Sequence, residues 1–229
     1  MRNFNFTRMK QNQLFLRYHA LWPFLGVLLL GVYFLSFPKG EVVLIFNKMH
    51  SPVWNIVFTK LSSIGNALSV FFFLALVLWR YQLKYLYFFV LAFALESLVI
   101  IVAKNVFFSY MPRPYLLFES QGILDQIDFV EGVKINKRRS FPSGHTAYAF
   151  CMASFFALKL NKISASVAIA IFAAFVGMSR MYLVQHFFVD VFTGAIVGIV
   201  TTAIAYYLVF NTEKKWYSRR IFSVKNKKN

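Results

Sequence analysis

Long stretches of this chain carry no charge, and that limits what it can fold into. Residues 20–38 are neutral, as are 61–79 between Lys60 and Arg80. Residues 85–103 hold a single charge, Glu96, between Lys84 and Lys104. Residues 143–158 have none before Lys159. Residues 163–179 lie between Lys162 and Arg180, and 191–212 between Asp190 and Glu213. A bilayer core about 30 Å thick needs roughly 20 apolar residues per helix. Cutting the chain at its charges therefore predicts six membrane-spanning helices, at about 20–38, 61–79, 85–103, 143–158, 163–179 and 190–212. The expected fold is all-α, a six-transmembrane-helix bundle formed by a single domain over residues 1–229. Charged residues make up only 14% of the chain, against about 25% in soluble domains. Too few are present to solvate a globule.

Charge placement gives an orientation. With six spans both termini share a side, and that side takes fifteen of the 25 cations. These include Arg2, Arg8, Lys10, Arg17 and a basic tail over 213–229. Cytoplasmic flanks are enriched in Lys and Arg, so both termini are expected in the cytoplasm. Trp22, Trp54, Trp79 and Trp216 fall near span ends, where indoles favour the interface. The first span follows a basic stretch and lacks a small-residue cleavage site, which reads as an uncleaved signal anchor. Residues 41–60, broken by Lys48, His50 and Pro52, read as an interfacial segment on the outer side. Residues 115–139 form the longest polar loop, a lid or a solvated connection. A net charge of +17 does not imply nucleic acid, because neutral runs break the charge up. The single cysteine, Cys151, excludes an intrachain disulfide and a cysteine-based zinc site.

The cation-poor outer side nevertheless collects charge at the ends of spans. Lys104 ends the third, and Arg113 follows in Met-Pro-Arg-Pro. Arg138 and Arg139 precede Ser140-Phe-Pro-Ser-Gly-His145, which opens the fourth. Arg180 ends the fifth, and His186 and Asp190 open the sixth. Ionisable groups at membrane depth are costly and point to function. Ser143 and Gly144 suit a helix N-terminus, whose free N–H groups attract anions. His186 and Asp190, four apart, share a helix face. The carboxylate can hold one imidazole nitrogen as N–H and leave the other free as base or nucleophile. Gly194 and Gly198 continue that face and allow close helix packing. Lys104, Arg113 and Arg180 suit phosphate oxygens. Glu96 reads as a buried carboxyl satisfied by a neighbouring helix.

Taken together these residues resemble the type 2 phosphatidic acid phosphatases, integral-membrane lipid phosphatases whose pattern has three parts. Pro142-Ser143-Gly144-His145 matches the second without change. Ser179-Arg180, five residues, His186, three residues and Asp190 match the third. In the first part eight residues separate Lys104 from Arg113 where the pattern has six, and the patterned lysine position is Val106. A bulged loop is needed to bring Lys104 to the site.

The resemblance implies a membrane lipid phosphatase acting through a phosphohistidine, with its site at the extracytoplasmic face. His186 is the expected nucleophile, Asp190 its orienting partner and His145 the acid and base. Lys104, Arg113, Ser143, Gly144 and Arg180 are expected to hold phosphate, and Arg138 and Arg139 are candidate headgroup contacts. Neither a metal nor another cofactor is expected, since the cations supply the charge. Expected partners are the bilayer and a lipid phosphate: phosphatidic acid, phosphatidylglycerophosphate, a polyprenyl diphosphate or a lipid A-type glycolipid. The expected location is a bacterial cytoplasmic (inner) membrane. The alternatives are a lipid-phosphate-binding or transport protein that keeps the fold without hydrolysis, and a vanadium haloperoxidase, which the scarcity of soluble segments disfavours.

Overall fold

A computed structural model describes residues 17–66 and 69–220. The basic residues Arg2, Arg8, Lys10, Lys225, Lys227 and Lys228 lie outside them. Among the described residues the structure is all-helical. After a 3-10 turn, Tyr18–Leu21, come α1 (Trp22–Phe34), α2 (Glu41–Asn47), α3 (Pro52–Ile64), α4 (Ser69–Arg80) and α5 (Leu83–Val102). There follow a π-turn (Ala103–Phe107), α6 (Pro114–Ser120), α7 (Gly144–Leu160), α8 (Ile163–Tyr182) and α9 (Phe188–Phe210).

Each predicted span is helical, with one correction. Leu83–Phe107, Ile163–Tyr182 and Phe188–Phe210 are long and apolar enough to cross a bilayer. The predicted span 61–79 is not one helix. It is the bent pair α3 and α4, which meet at 58° across a break that begins at Gly65. The segment 41–60 is divided between α2 and the first part of α3, which already starts at Pro52. Ser51 caps that start by accepting from Trp54 N–H at 3.3 Å. The helices at the first and fourth predicted spans, Tyr18–Phe34 and α7, are shorter, so of the six predicted spans three described helices, or four with the bent pair counted as one, are long and apolar enough to cross a bilayer.

Helix α7 can be short because protein surrounds it. It packs against α9, α8 and α5, and residues 146–155 are all buried. The close approach of α9 depends on its glycines. A Cβ on Gly194 would lie 2.5 Å from the Ser143 carbonyl oxygen, and one on Gly198 would overlap the Ala147 carbonyl. Thr202 adds a hydrogen bond to the Cys151 carbonyl, 3.3 Å. Beneath this pair an aromatic core, including Phe24, Phe88, Phe150, Phe155 and Tyr206, joins α1, α5, α7 and α9. At the end of the bundle where the α4–α5 and α7–α8 turns lie, cations rest on rings: Lys84 over Phe210 at 4.2 Å and Lys159 over Tyr85 at 4.2 Å. The described part of the tail folds back there, where Leu83 N–H donates to the Arg219 carbonyl.

Candidate phosphate site at the helix ends

At the opposite end of the bundle the motif residues converge on one cavity of about 410 Å³. Lys104, Arg113, Gly144, His145, Arg180 and His186 all line it. They come from the ends of α5, α7 and α8 and from the segments before α6 and α9, so only tertiary packing unites them.

Local structure explains how each arrives. Beyond Val102 the helix widens to a π-turn, closed by Phe108 N–H donating to the Ala103 carbonyl at 2.8 Å. A π-turn takes in an extra residue. This absorbs part of the long Lys104–Arg113 spacing and turns Lys104 into the cavity. Lys104 Nζ donates to the Arg139 carbonyl at 3.0 Å. Val106, at the patterned position, is 67% exposed.

Arg113 is buried, and its guanidinium is fixed on several sides. Nε donates to the Arg138 carbonyl at 2.9 Å, and Nη1 donates to the Gln185 carbonyl at 2.8 Å. Nη2 reaches the Arg139 carbonyl at 3.4 Å. Arg139 sits at φ +59°, in the left-handed region. The Arg138 and Arg139 side chains are exposed and do not line the cavity. What they contribute is their carbonyls, which hold the two neighbouring cations. Arg180, also buried, donates through Nη1 to Ser62 of α3, while its Nε has no partner among the described residues.

Ser143 differs from the sequence expectation. It is fully buried, its hydroxyl accepts from Thr146 N–H at 3.4 Å, and it shares a hydrogen bond with the Thr146 hydroxyl at 2.9 Å. It caps α7 and is not among the residues lining the cavity. Gly144 takes that place, its α-carbon facing Ile100 and Lys104. The start of α7 is tied to the start of α9 by Ser143 N–H donating to the Asp190 carbonyl at 2.9 Å.

His186 lies in the tight connection between α8 and α9. The Arg180 carbonyl accepts from both Gln185 N–H (2.9 Å) and His186 N–H (3.2 Å). Val184 is buried there at φ +55°, an unfavourable conformation for a β-branched residue. Strain of this kind persists only where the surroundings over-determine it, and it clusters at functional sites. His186 Nδ1 is 3.4 Å from Asp190 Oδ2. The same oxygen accepts from Phe187 N–H at 3.0 Å and from the Ser140 hydroxyl. An N–H on Nδ1 leaves the Nε2 lone pair free, and Arg113 Nη1 donates to it at 3.3 Å. Burial, then the charges of Arg113 and Lys104, holds the His186 imidazole well below its ordinary range. Burial also lowers Arg113, with Asp190 opposing. His186 is thus a neutral ring aimed at a cluster of cations.

Sequence reasoning missed several residues of this site: Ser62, Gly65, Asn136, Ser140 and Gln185. A Cβ on Gly65 would lie 3.2 Å from His145 Cβ, so the break after α3 rests directly on that histidine. Gln185 accepts from Arg113 (3.3 Å) and Asn136 (3.3 Å) and donates to the Lys134 carbonyl (3.1 Å). It therefore fastens the 115–139 connection to the site. Only Ser140 and Gln185 stood beside motif residues, which was the one available signal.

A family model described as the PAP2 superfamily matches residues 84–214, more than half of the chain. The lipid A 1-phosphatase of Porphyromonas gingivalis is 42% identical over 71 residues. That match covers 30% of this chain and only 16% of the length of the relative. The crystal structure of Aquifex aeolicus LpxE superposes with a TM-score of 0.63 at 27% identity, covering 74% of this chain and 96% of that one. The PAP2 type phosphatidylglycerolphosphate phosphatase of Bacillus subtilis gives a TM-score of 0.59 at 19% identity, covering 86% and 99%. The second likeness bears on the fold.

Proposed function

Because the chain belongs to the PAP2 superfamily, an assignment its apolar helices make that of an integral membrane protein, we propose that it is a lipid phosphatase. In this reading the chain is a single catalytic domain that removes phosphate from a membrane lipid phosphomonoester. The observation that carries the reading is the convergence of Lys104, Arg113 and Arg180 with His145 and His186 around one cavity. Among the described residues none of these three cations forms an ion pair with a carboxylate, Asp190 being held by His186, Ser140 and the Phe187 amide, so the arrangement is completed when an anion binds. A phosphate carrying two charges answers it.

The chemistry follows from the arrangement. Arg113 shifts from His186 Nε2 to a phosphate oxygen, baring the lone pair. Nε2 attacks phosphorus, the bond to the lipid oxygen breaks, and His145 gives that oxygen a proton. Asp190, held by Ser140 and the Phe187 amide, stabilises the positive charge that develops on His186. Water then attacks the phosphohistidine, His145 takes its proton, and the P–N bond breaks to release phosphate. Lys104, Arg113, Arg180 and the N-terminus of α7 at Gly144 stabilise the transition-state oxygens, and Ser143 keeps that helix end in place. We assign the charge stabilisation to the cations, and among the described residues no group of three His, Cys, Asp or Glu side chains is placed to hold a metal ion.

The relative named lipid A 1-phosphatase supports a membrane lipid as substrate. The basic inner turns support cytoplasmic termini and a site at the outer face of the inner membrane. The test is phosphate release from a panel of lipid phosphates in detergent and EDTA, beside His186→Ala. We expect release by the wild type and a loss of roughly a thousandfold or more in the variant. Equal rates for the two proteins refute the nucleophile, and no release from any lipid refutes the activity.

A further inference from the structure

The cavity does not end at the cations. It continues along α5 past Ile100 to Glu96, Ser97 and Phe93, and across to Tyr148 of α7. Glu96 lies eight residues before Lys104, so their α-carbons are about 12 Å apart along the helix axis. The ionisable and hydroxyl groups at this inner end take no part in the chemistry above. Yet Glu96 is 3% exposed, in the middle of an apolar helix. The one hydrogen bond to its carboxyl among the described residues comes from its chain neighbour, Ser97, at 3.2 Å. The Tyr148 hydroxyl is buried, and although Ser69 is near, it makes no hydrogen bond of ordinary geometry among the described residues. Buried polar groups without partners are rare and call for an explanation.

We propose that Glu96, Ser97 and Tyr148 form a second subsite that binds the hydroxyl or amide groups of a sugar carrying the phosphate. This deepens the lipid phosphatase reading and rests on it. The chemistry of the subsite selects its ligand. A carboxyl, ionised or not, keeps at least one oxygen that needs a donor. The ester carbonyls of phosphatidic acid only accept, whereas a sugar ring offers both donors and acceptors beside its phosphate. Every cation lining the cavity lies at the outer end. The second phosphate of a diphosphate, or of phosphatidylglycerophosphate, would meet a carboxyl here without a counter-charge. The apolar residues flanking the subsite, Phe93, Ile100 and Ile101, suit the start of acyl chains. A phosphorylated glycolipid thus meets the cations at the outer end and the polar subsite further in, with apolar side chains on either side of the subsite.

The test compares kcat/KM for lipid A bearing a sugar phosphate with that for phosphatidic acid. It uses the full chain in detergent, as wild type, Glu96→Gln and Tyr148→Phe. The expected result is a wild-type preference for lipid A that falls by about tenfold in Tyr148→Phe, which loses one buried hydrogen bond to the sugar, and by about threefold or more in Glu96→Gln, which exchanges one carboxyl acceptor for an amide donor. A preference ratio unchanged within about twofold in both variants overturns the subsite, including when both activities fall together, as a purely structural role would give. Wild-type preference for phosphatidic acid also overturns it. Failure of the parent reading is distinct, because the wild type then releases phosphate from neither lipid. Tyr148→Phe removes a single oxygen, so it preserves the test if Glu96→Gln does not fold.

Discussion

The contact between α9 and α7 makes a sharp prediction about activity. A methyl group at Gly194 would stand 2.5 Å from the Ser143 carbonyl oxygen, 3.2 Å from Thr146 Cβ and 3.3 Å from Ala147 N. Two of these are backbone atoms, and a methyl has no rotamer with which to avoid them. Ordinary contact begins near 3.5 Å, so the helices must part locally by roughly 1 Å. Overpacking of this kind destabilises by about 1–3 kcal/mol, offset by about 1 kcal/mol for alanine over glycine in a helix. The net loss is then up to about 2 kcal/mol. The larger effect is on the site. The displaced carbonyl belongs to the residue that caps α7 just before Gly144 and His145, while His186 and Asp190 sit at the start of α9. Misplacing reacting groups by 1 Å can lower a rate by about a hundredfold. Gly194→Ala should therefore fold, with a modestly lower unfolding temperature, and lose about two orders of magnitude in phosphate release. Gly26→Ala in α1, where nothing lies within 4 Å, should keep its rate and match or exceed wild-type stability. Rates and thermal unfolding measured together in one detergent make the comparison. A folded Gly194→Ala protein within about threefold of the wild-type rate refutes the claim that this contact sets the geometry of the site.

Further outcomes follow from the same geometry. His186 is held well below the ordinary imidazole range, whereas the unfolded chain titrates near about 6.5. The unfolded state then binds the extra proton as pH falls, so stability should decline below about pH 6.5. Thermal unfolding across that range should show the decline, and His186→Ala should flatten it. Ser62→Ala removes the recorded side-chain partner of Arg180 Nη1. A rise in KM of roughly 3- to 10-fold, with a smaller change in kcat, is expected in initial-rate kinetics. Gln185→Leu frees Arg113 from the Gln185 amide oxygen and the 130s segment from the site. It should lower kcat/KM by roughly tenfold and speed limited proteolysis within residues 115–139.

Much of this protein is legible in its sequence, for physical reasons that are local. Burial in lipid demands runs of apolar residues bounded by charge, so the helices of the bundle stand out without reference to one another. The proposed anion binding and nucleophilic attack demand particular side chains, so Arg113, Gly144, His145, Arg180, His186 and Asp190 stand out as a set from their types and spacing, and Lys104 from its type alone, two residues off the pattern. Tertiary structure decided what those groups touch. Lys104 and Arg113 are held by the carbonyls of Arg138, Arg139 and Gln185, and every residue has a carbonyl, so no side chain announces this use. Ser62 lies more than a hundred positions from Arg180, and Glu96 and Tyr148 meet only because α5 packs on α7. The 58° break after α3 and the π-turn at Lys104 arise where helices must bend around the cavity, and neither leaves a mark in hydropathy. Ser143, whose type suits both a phosphate ligand and a helix cap, is a cap because packing of α9 buries it. Chemical identity is a property of single residues and is written along the chain, whereas partnership is a property of pairs brought together by packing.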